Sequence, residues 1–128
     1  MKKSSSALIA CLTLAAVLAG SRAFAGQKWG PSLVYLSENT AQGNLTDVRT
    51  SADATQYIGC QVSASPGSSF VFCAARNAAG LAKGCSSSLP ELVAVANAVE
   101  PGTYLYFSWD NTGACNYIQA SHYSGFTF

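Results

Sequence analysis

Charged residues are scarce in this chain of 128 residues, in which Lys, Arg, Asp and Glu together make up 10%. The chain has a single histidine, His122, and no cluster of acidic side chains. So few basic groups provide neither the basic face that binds nucleic acid nor one that binds anionic lipid. One histidine and dispersed acids are also a poor set of metal ligands. With no cofactor motif present, we expect no metal, no cofactor and no nucleic-acid partner.

The apolar run Ala7 to Gly20 is shorter than the ~20 residues that a membrane-spanning helix needs. It follows two lysines and precedes Ala23-Phe24-Ala25, an A-x-A cleavage site. These parts in this order are typical of a cleavable bacterial-type signal peptide. We predict removal of residues 1–25, and one disulfide-stabilised domain over residues 26–128 that is secreted or periplasmic without a stable membrane anchor. Four basic and six acidic residues give this domain a formal charge of −2.

Cysteine is sparse, and its number is even once the signal peptide is excluded. Cys11 lies in the signal peptide, which leaves Cys60, Cys73, Cys85 and Cys115. An even number of cysteines in a short exported chain indicates two disulfide bonds. Zinc sites usually pair ligands two to four residues apart. The gaps here are 12, 11 and 29 residues, which favours disulfides over a metal site.

The first of two predicted hairpins determines the cysteine pairing. Its turn is Ser65-Pro66-Gly67-Ser68, with Pro and Gly at the central positions that a type II turn prefers. If Ser65 faces Ser68, Cys60 lies opposite Cys73 on a non-hydrogen-bonded rung, where Cα atoms approach most closely. Cys85 then pairs with Cys115, a bond expected to tie the start of a helix to the last long strand.

A helix is predicted after the capping box Ser88-Leu89-Pro90-Glu91. Apolar residues then recur at helical spacing as far as Val99, and Pro101-Gly102 ends the helix. Elsewhere the pattern predicts a strand at 32–37, a turn at 39–44, a weak strand at 44–51 and a loop at 77–87. The expected fold is α+β, with a small antiparallel sheet of four to five strands, one helix on a face, and two disulfides.

The second hairpin is predicted over 103–109 and 114–121, with Asp110 facing Gly113 across a turn. In this register Leu105 lies opposite Ile118, and Tyr106 lies opposite Tyr117. The same face carries Tyr104, Tyr106, Tyr117 and Cys115.

These three tyrosines are the predicted binding residues, because exposed aromatic rings offer a flat apolar surface with a polar tip. The alternative is that the helix, linked through Cys115, covers this face and makes the tyrosines part of the core. Trp29 and Tyr35 are a second candidate pair of exposed aromatic residues.

His122 is the only candidate catalytic residue, as a general base. Catalysis would also need a nucleophile and an orienting carboxylate, and no G-x-S-x-G motif is present. We therefore favour a binding or interaction module, for example an inhibitor, that acts outside the cytoplasm on a protein or glycan. The alternatives are a small secreted hydrolase that uses His122 and an antibacterial or host-directed toxin.

A peptide map of the exported protein without reduction tests the processing and the pairing together. We expect the mature chain to begin at Gly26, because signal peptidase cleaves after A-x-A. Mass spectrometry should find one peptide pair joined by Cys60–Cys73 and another joined by Cys85–Cys115. Any other cysteine pairing, free thiols, or a mature protein that still contains residues 1–25 would contradict the prediction.

Overall fold

The computed structural model describes residues 26–126, which contain seven strands and two α-helices. The strands are β1 (Tyr35–Leu36), β2 (Thr40–Asn44), β3 (Tyr57–Ser65), β4 (Ser68–Arg76), β5 (Ala82–Ser87), β6 (Tyr104–Trp109) and β7 (Cys115–Ser121). The helices are α1 (Leu45–Arg49) and α2 (Pro90–Ala96), and a 3-10 turn covers Ser124–Phe126. The α+β class and both disulfides are confirmed. The predicted signal peptide lies outside the described residues.

The strands form two antiparallel sheets, where the sequence suggested one. The four-stranded sheet has the order β1-β2-β6-β7, and the three-stranded sheet has the order β3-β4-β5. Both turn one face to a shared core, in which Val71, Leu105 and Phe107 are completely buried. Helix α2 packs against β7 and β4 and adds Leu92 and Val93 to that core. The other face of each sheet therefore points outward.

The first hairpin has the predicted register. Ser65 pairs with Ser68, and Cys60 pairs with Cys73 with Cα atoms 4.0 Å apart. Gly67 has a φ of 78°, which an L side chain rarely adopts. The Pro-Gly turn fixes the first pair of opposed residues. Every later pair along the hairpin follows from that one, and the alternation of side chains then fixes which residues face the core.

The segment 77–87, predicted as a loop, contains strand β5. Its residues are small and polar, and the strand forms because β4 offers an edge that places Cys85 opposite Cys73. Gly84 is required there, since a Cβ would lie 2.8 Å from the carbonyl oxygen of Cys73 and 3.2 Å from the ring of Phe72. The Cys85–Cys115 bond therefore joins β5 to β7, and so links the two sheets. The expected link to the start of the helix is wrong.

The predicted register of the second hairpin is wrong by two residues. Leu105 pairs with Ala120, and Tyr106 pairs with Gln119. One residue of the shift comes from a three-residue loop, closed by a hydrogen bond from Asp110 N to Ala114 O and containing Gly113 at φ 83°.

A β-bulge accounts for the second residue of the shift. Trp109 pairs with Cys115 whereas Ser108 pairs with Tyr117, so Asn116 is the extra residue. The longer loop moves Cys115 to the core face, and the bulge returns Tyr117 to the outer face. Cys115 and the tyrosines therefore do not share a face.

The predicted turn at 39–44 is strand β2, and the predicted strand at 44–51 is helix α1. The fully buried Asn44 caps this helix, since its side chain accepts hydrogen bonds from the backbone N–H groups of Thr46 and Asp47. Its amide also donates to the carbonyl oxygen of Gly102 at 2.9 Å. Asn44 thus fixes both the start of α1 and the turn before β6.

Helix α2 begins one residue after Leu89, which is its N-cap and has no side-chain capping bond. Pro90 occupies the first turn, and the backbone N–H of Leu89 donates to Ser87 Oγ. The predicted capping box is therefore wrong. The helix ends at Ala96, so Val99 lies beyond it although it still packs against the core.

Replacing Asn44 tests its structural role. We expect Asn44→Ala to lower the free energy of unfolding by about 2–4 kcal/mol, because it removes a cap and leaves the Gly102 carbonyl without its donor. Urea denaturation of the oxidised protein measures this. Asn97→Ala, at the exposed C-cap of α2, is the control and should change stability by less than about 0.5 kcal/mol. Equal losses in both variants would contradict the assignment.

Removing each disulfide separately tests which one stabilises the fold more. The Cys85–Cys115 bond spans 30 residues and the Cys60–Cys73 bond spans 13. Loop entropy assigns about 3.5 kcal/mol to the first and about 3 kcal/mol to the second. We expect the Cys85→Ala/Cys115→Ala variant to have the lower urea midpoint, also because it separates the sheets. A lower midpoint for Cys60→Ala/Cys73→Ala would show that the hairpin bond matters more.

Candidate binding surface

The outer face of the four-stranded sheet carries four of the six tyrosines, of which Tyr35 and Tyr117 are exposed and the other two are half-buried. We call this surface the tyrosine face and define it by Tyr35, Thr40, Gln42, Tyr104, Tyr106, Ser108, Tyr117 and Gln119. Directly opposed residues of an antiparallel sheet share a face, and one row runs Tyr35, Gln42, Tyr106, Gln119 across all four strands. Two strand spacings of ~4.8 Å separate Tyr35 from Tyr106, which places them about 10 Å apart.

The structure places all three predicted tyrosines on this face. Tyr106 and Tyr117 make an edge-to-face contact with ring centroids 5.8 Å apart, and Tyr117 is 49% exposed. The ring of Tyr104 instead stacks on Phe126 at 5.0 Å, nearly parallel to it. Burial raises the pKa of Tyr104, and the neighbouring Tyr106 raises it further. Of the three tyrosines, Tyr117 is therefore exposed, Tyr106 is half-buried, and the ring of Phe126 covers one side of Tyr104.

Helix α2 does not cover the tyrosine face. Its buried residues Leu92, Val93 and Ala96 pack in the core with Leu105 and Phe107, on the opposite side of the sheet. The alternative in which the tyrosines form the core is therefore wrong. That alternative depended on Cys115 lying on the same face as the tyrosines, and the predicted register of the second hairpin, which placed it there, is wrong by two residues.

Neutral polar groups accompany the tyrosines. Tyr117 OH donates to Gln119 Oε1 at 3.2 Å, and Gln119 Nε2 donates to Ser121 Oγ at 2.8 Å. Ser108 Oγ donates to Asn116 Oδ1 at 2.6 Å. None of the side chains that define the face is charged. It therefore offers aromatic rings for stacking, with amides and hydroxyls that donate and accept hydrogen bonds.

Two further residues of this face follow from strand pairing. Tyr35, which the sequence placed with Trp29, is 60% exposed and joins the tyrosine face through β1. Gln42 joins through β2, which the sequence did not predict as a strand. The ring of Trp29 contacts Tyr123 at 5.6 Å and Phe126 at 4.5 Å, and this cluster adjoins the tyrosine face where Phe126 stacks on Tyr104.

A second aromatic surface was missed in the sequence. Tyr57, Phe70 and Phe72 are each 46% exposed on the outer face of the three-stranded sheet, and we call these residues the phenylalanine face. A groove of about 280 Å³ is lined by Tyr57 and Phe72, with Gly59 and Ala74 between them. The signal was present in the sequence. Cys73 is disulfide-bonded and faces inward, so Phe70 and Phe72 must alternate outward.

His122 has an orienting carboxylate. Its Nδ1 lies 3.4 Å from Glu100 Oε1 and 3.4 Å from Thr103 Oγ1. Thr103 is fully buried, and its hydroxyl accepts a hydrogen bond from the backbone N–H of Glu100. In a catalytic triad the carboxylate binds Nδ1 of the histidine, and Nε2 accepts the proton of the nucleophile. Within residues 26–126, no hydroxyl is hydrogen-bonded to Nε2 of His122. A catalytic role for His122 therefore stays a prediction.

Comparisons of this chain with protein-family models, curated proteins and solved structures find no match. Within residues 26–126, no group of three His, Cys, Asp or Glu side chains could hold a metal ion. No helix in that part of the chain is long and apolar enough to cross a membrane. The function is therefore inferred from the chemistry of the two aromatic surfaces.

Alkaline titration tests whether Tyr104 is covered. Because the folded-state pKa of Tyr104 is raised, its contribution to stability is complete below the unfolded pKa of ~10 and is lost as the pH rises through the folded pKa. We expect the Tyr104→Phe variant to lose less stability between pH 8 and pH 11 than the parent protein, as measured by urea denaturation. Tyr117→Phe, which changes an exposed ring, is the control. Identical pH profiles for all three proteins would contradict the burial of Tyr104.

Proposed function

We propose that this protein is an exported, non-catalytic binding module that recognises a neutral glycan through the tyrosine face. The observation that carries the proposal is the row Tyr35, Gln42, Tyr106, Gln119, in which aromatic and amide side chains alternate across an uncharged, outward-facing sheet. A row about 10 Å long between its two tyrosines suits a chain of several sugar rings better than a single small molecule.

The chemistry of the face matches that of a sugar ring. A pyranose has an apolar face of C–H groups and a rim of hydroxyls. The rings of Tyr35 and Tyr117 supply flat apolar area with polar tips. The amides of Gln42 and Gln119 supply both donors and acceptors. The absence of charge among the defining residues favours a neutral glycan over an acidic one.

A protein partner is less well supported on this face. Binding energy at protein interfaces concentrates in Trp, Tyr and Arg side chains that fill well-packed pockets. The tyrosine face contains tyrosine but neither Trp nor Arg, and its polar groups are spread over the whole row. We therefore choose the glycan over the protein.

The disulfides support a location outside the cytoplasm, because such bonds persist in oxidising compartments. The predicted signal peptide is consistent with that location. The Cys85–Cys115 bond also holds the two sheets together, so the binding surface is ordered before it meets a ligand. This preorganisation reduces the entropy lost on binding.

Binding to a panel of neutral polysaccharides tests the proposal. We expect retention of the oxidised mature protein in affinity electrophoresis with at least one of cellulose derivatives, xylan, glucan, mannan or soluble chitin. Tyr35→Ala and Tyr117→Ala should each weaken that binding by about tenfold, or ~1.4 kcal/mol, because each removes an exposed stacking ring. Near-ultraviolet circular dichroism checks that the variants are folded.

Matched controls separate this face from the other candidates. Phe70→Ala and Phe72→Ala remove rings of similar exposure from the opposite face and should leave binding unchanged. His122→Ala should also leave it unchanged, and the parent protein should release no reducing sugar. Retention on no polysaccharide, or loss of binding only in the phenylalanine-face variants, would refute the assignment of the tyrosine face.

A further inference from the structure

Among the described strands, four are sheet edges, and three of these carry features that hinder pairing with another strand. Strand β1 has only two residues, β5 carries Lys83 and is bridged at Ser86 to Ala114, and β7 begins with a bulge at Asn116. Strand β3 is nine residues long and pairs regularly with β4 along its whole length. It contains no proline, and residues 54–75 contain no charged side chain.

The outer edge of β3 has unused backbone groups. Ser65 and Ser68 close a two-residue turn and form a hydrogen-bonded pair, and such pairs alternate with non-hydrogen-bonded ones. Ile58, Cys60, Val62 and Ala64 therefore direct their N–H and C=O groups away from β4. Nothing within residues 26–126 is hydrogen-bonded to these outward groups. This edge is therefore ready to accept a strand.

The geometry points to a second copy of this chain as that strand, paired antiparallel through β3 about a twofold axis at Gln61. In this register Ile58 lies opposite Ala64 of the second copy, and Cys60 lies opposite Val62 of the second copy. All four outward residues of each chain are used, and each pair exchanges two hydrogen bonds. No other twofold register uses all of them.

The surroundings of β3 favour its own copy as the occupant. A twofold interface pairs one surface with itself, and β3 opposes no charge with a like charge because it has none. A groove of about 450 Å³ borders Ile58 and Cys60. Leu45, Val99 and Pro101 form its apolar part, and Thr46, Arg49 and Glu100 form its polar part. Val62 and Ala64 of the second copy would place their side chains beside the apolar part of this groove.

Pairing through β3 also limits the assembly to two chains. Each chain has one unprotected edge, and the dimer uses both of them, so no edge is left to continue a fibre. The twofold axis is perpendicular to the combined six-stranded sheet. Both four-stranded sheets then lie on the same side of it, and their tyrosine faces point in the same direction. Two-point attachment to one polysaccharide follows only if the proposed function is correct.

Sedimentation of the mature, oxidised protein without any glycan tests the pairing. We expect a concentration-dependent mass that reaches twice the monomer mass between 1 and 200 µM. Gln61 is exposed, so Gln61→Lys and Gln61→Glu should fold normally. Each places two like charges opposite one another on the axis, and each should weaken dimerisation at least tenfold. An equimolar mixture of the two variants should form a heterodimer, because opposite charges then meet.

Asn111→Lys, in the exposed β6–β7 turn, adds the same charge elsewhere and should dimerise as the parent protein does. A parent protein that stays monomeric to 200 µM would overturn the proposal. Dimers that persist in both Gln61 variants, with no preference for the heterodimer, would also overturn it, since they use another surface. Because no glycan is present, either failure leaves the proposed function untouched.

Discussion

The disulfide between Cys85 and Cys115 is the constraint on which the arrangement of this domain depends. The described chain has two sheets, but its completely buried large side chains are few, with Phe107, Leu105 and Val71 as the bulkiest. So small a core stabilises weakly. The bond fixes β5 against β7 beside the single bridge from Ser86 to Ala114. Holding the inner faces together in this way directs both aromatic outer faces to solvent.

The parts of the fold that could be predicted are those with local signals. A Pro-Gly turn sets the register of β3 and β4, because that hairpin has a two-residue loop and no bulge. Strands β2 and β5 could not be recognised, because their own residues are small and polar and their partner strands supply the reason to pair. Asn44 illustrates the same limit. The sequence pattern predicts a turn at this residue, whereas its buried side chain both caps α1 and bonds to Gly102, 58 residues away.

The candidate site was half predictable for a related reason. Alternation along β6 correctly put Tyr104 and Tyr106 on one face, opposite Leu105 and Phe107. Adding Cys115 to that face was wrong, because a three-residue loop and a bulge each shift the register by one residue. The covering of Tyr104 depends on its contact with Phe126 in the tail, and the contribution of Tyr35 depends on the pairing of β1 with β2 and of β2 with β6. No periodicity along the chain contains that information.

A shortage of charge connects the two proposed surfaces. Small β domains usually protect their edges with Lys, Pro or bulges, and this chain uses a lysine on β5 and a bulge on β7. An edge of nine residues without charge risks open-ended aggregation. It is tolerable where pairing closes after one step, as it does about a twofold axis. The tyrosine face is also uncharged. A neutral ligand binds through hydrogen bonds and ring stacking, and charged side chains on the face would have to lose water on binding without forming an ion pair. The low charge of the sequence is therefore consistent with recognition by backbone groups, amides and aromatic rings at both surfaces.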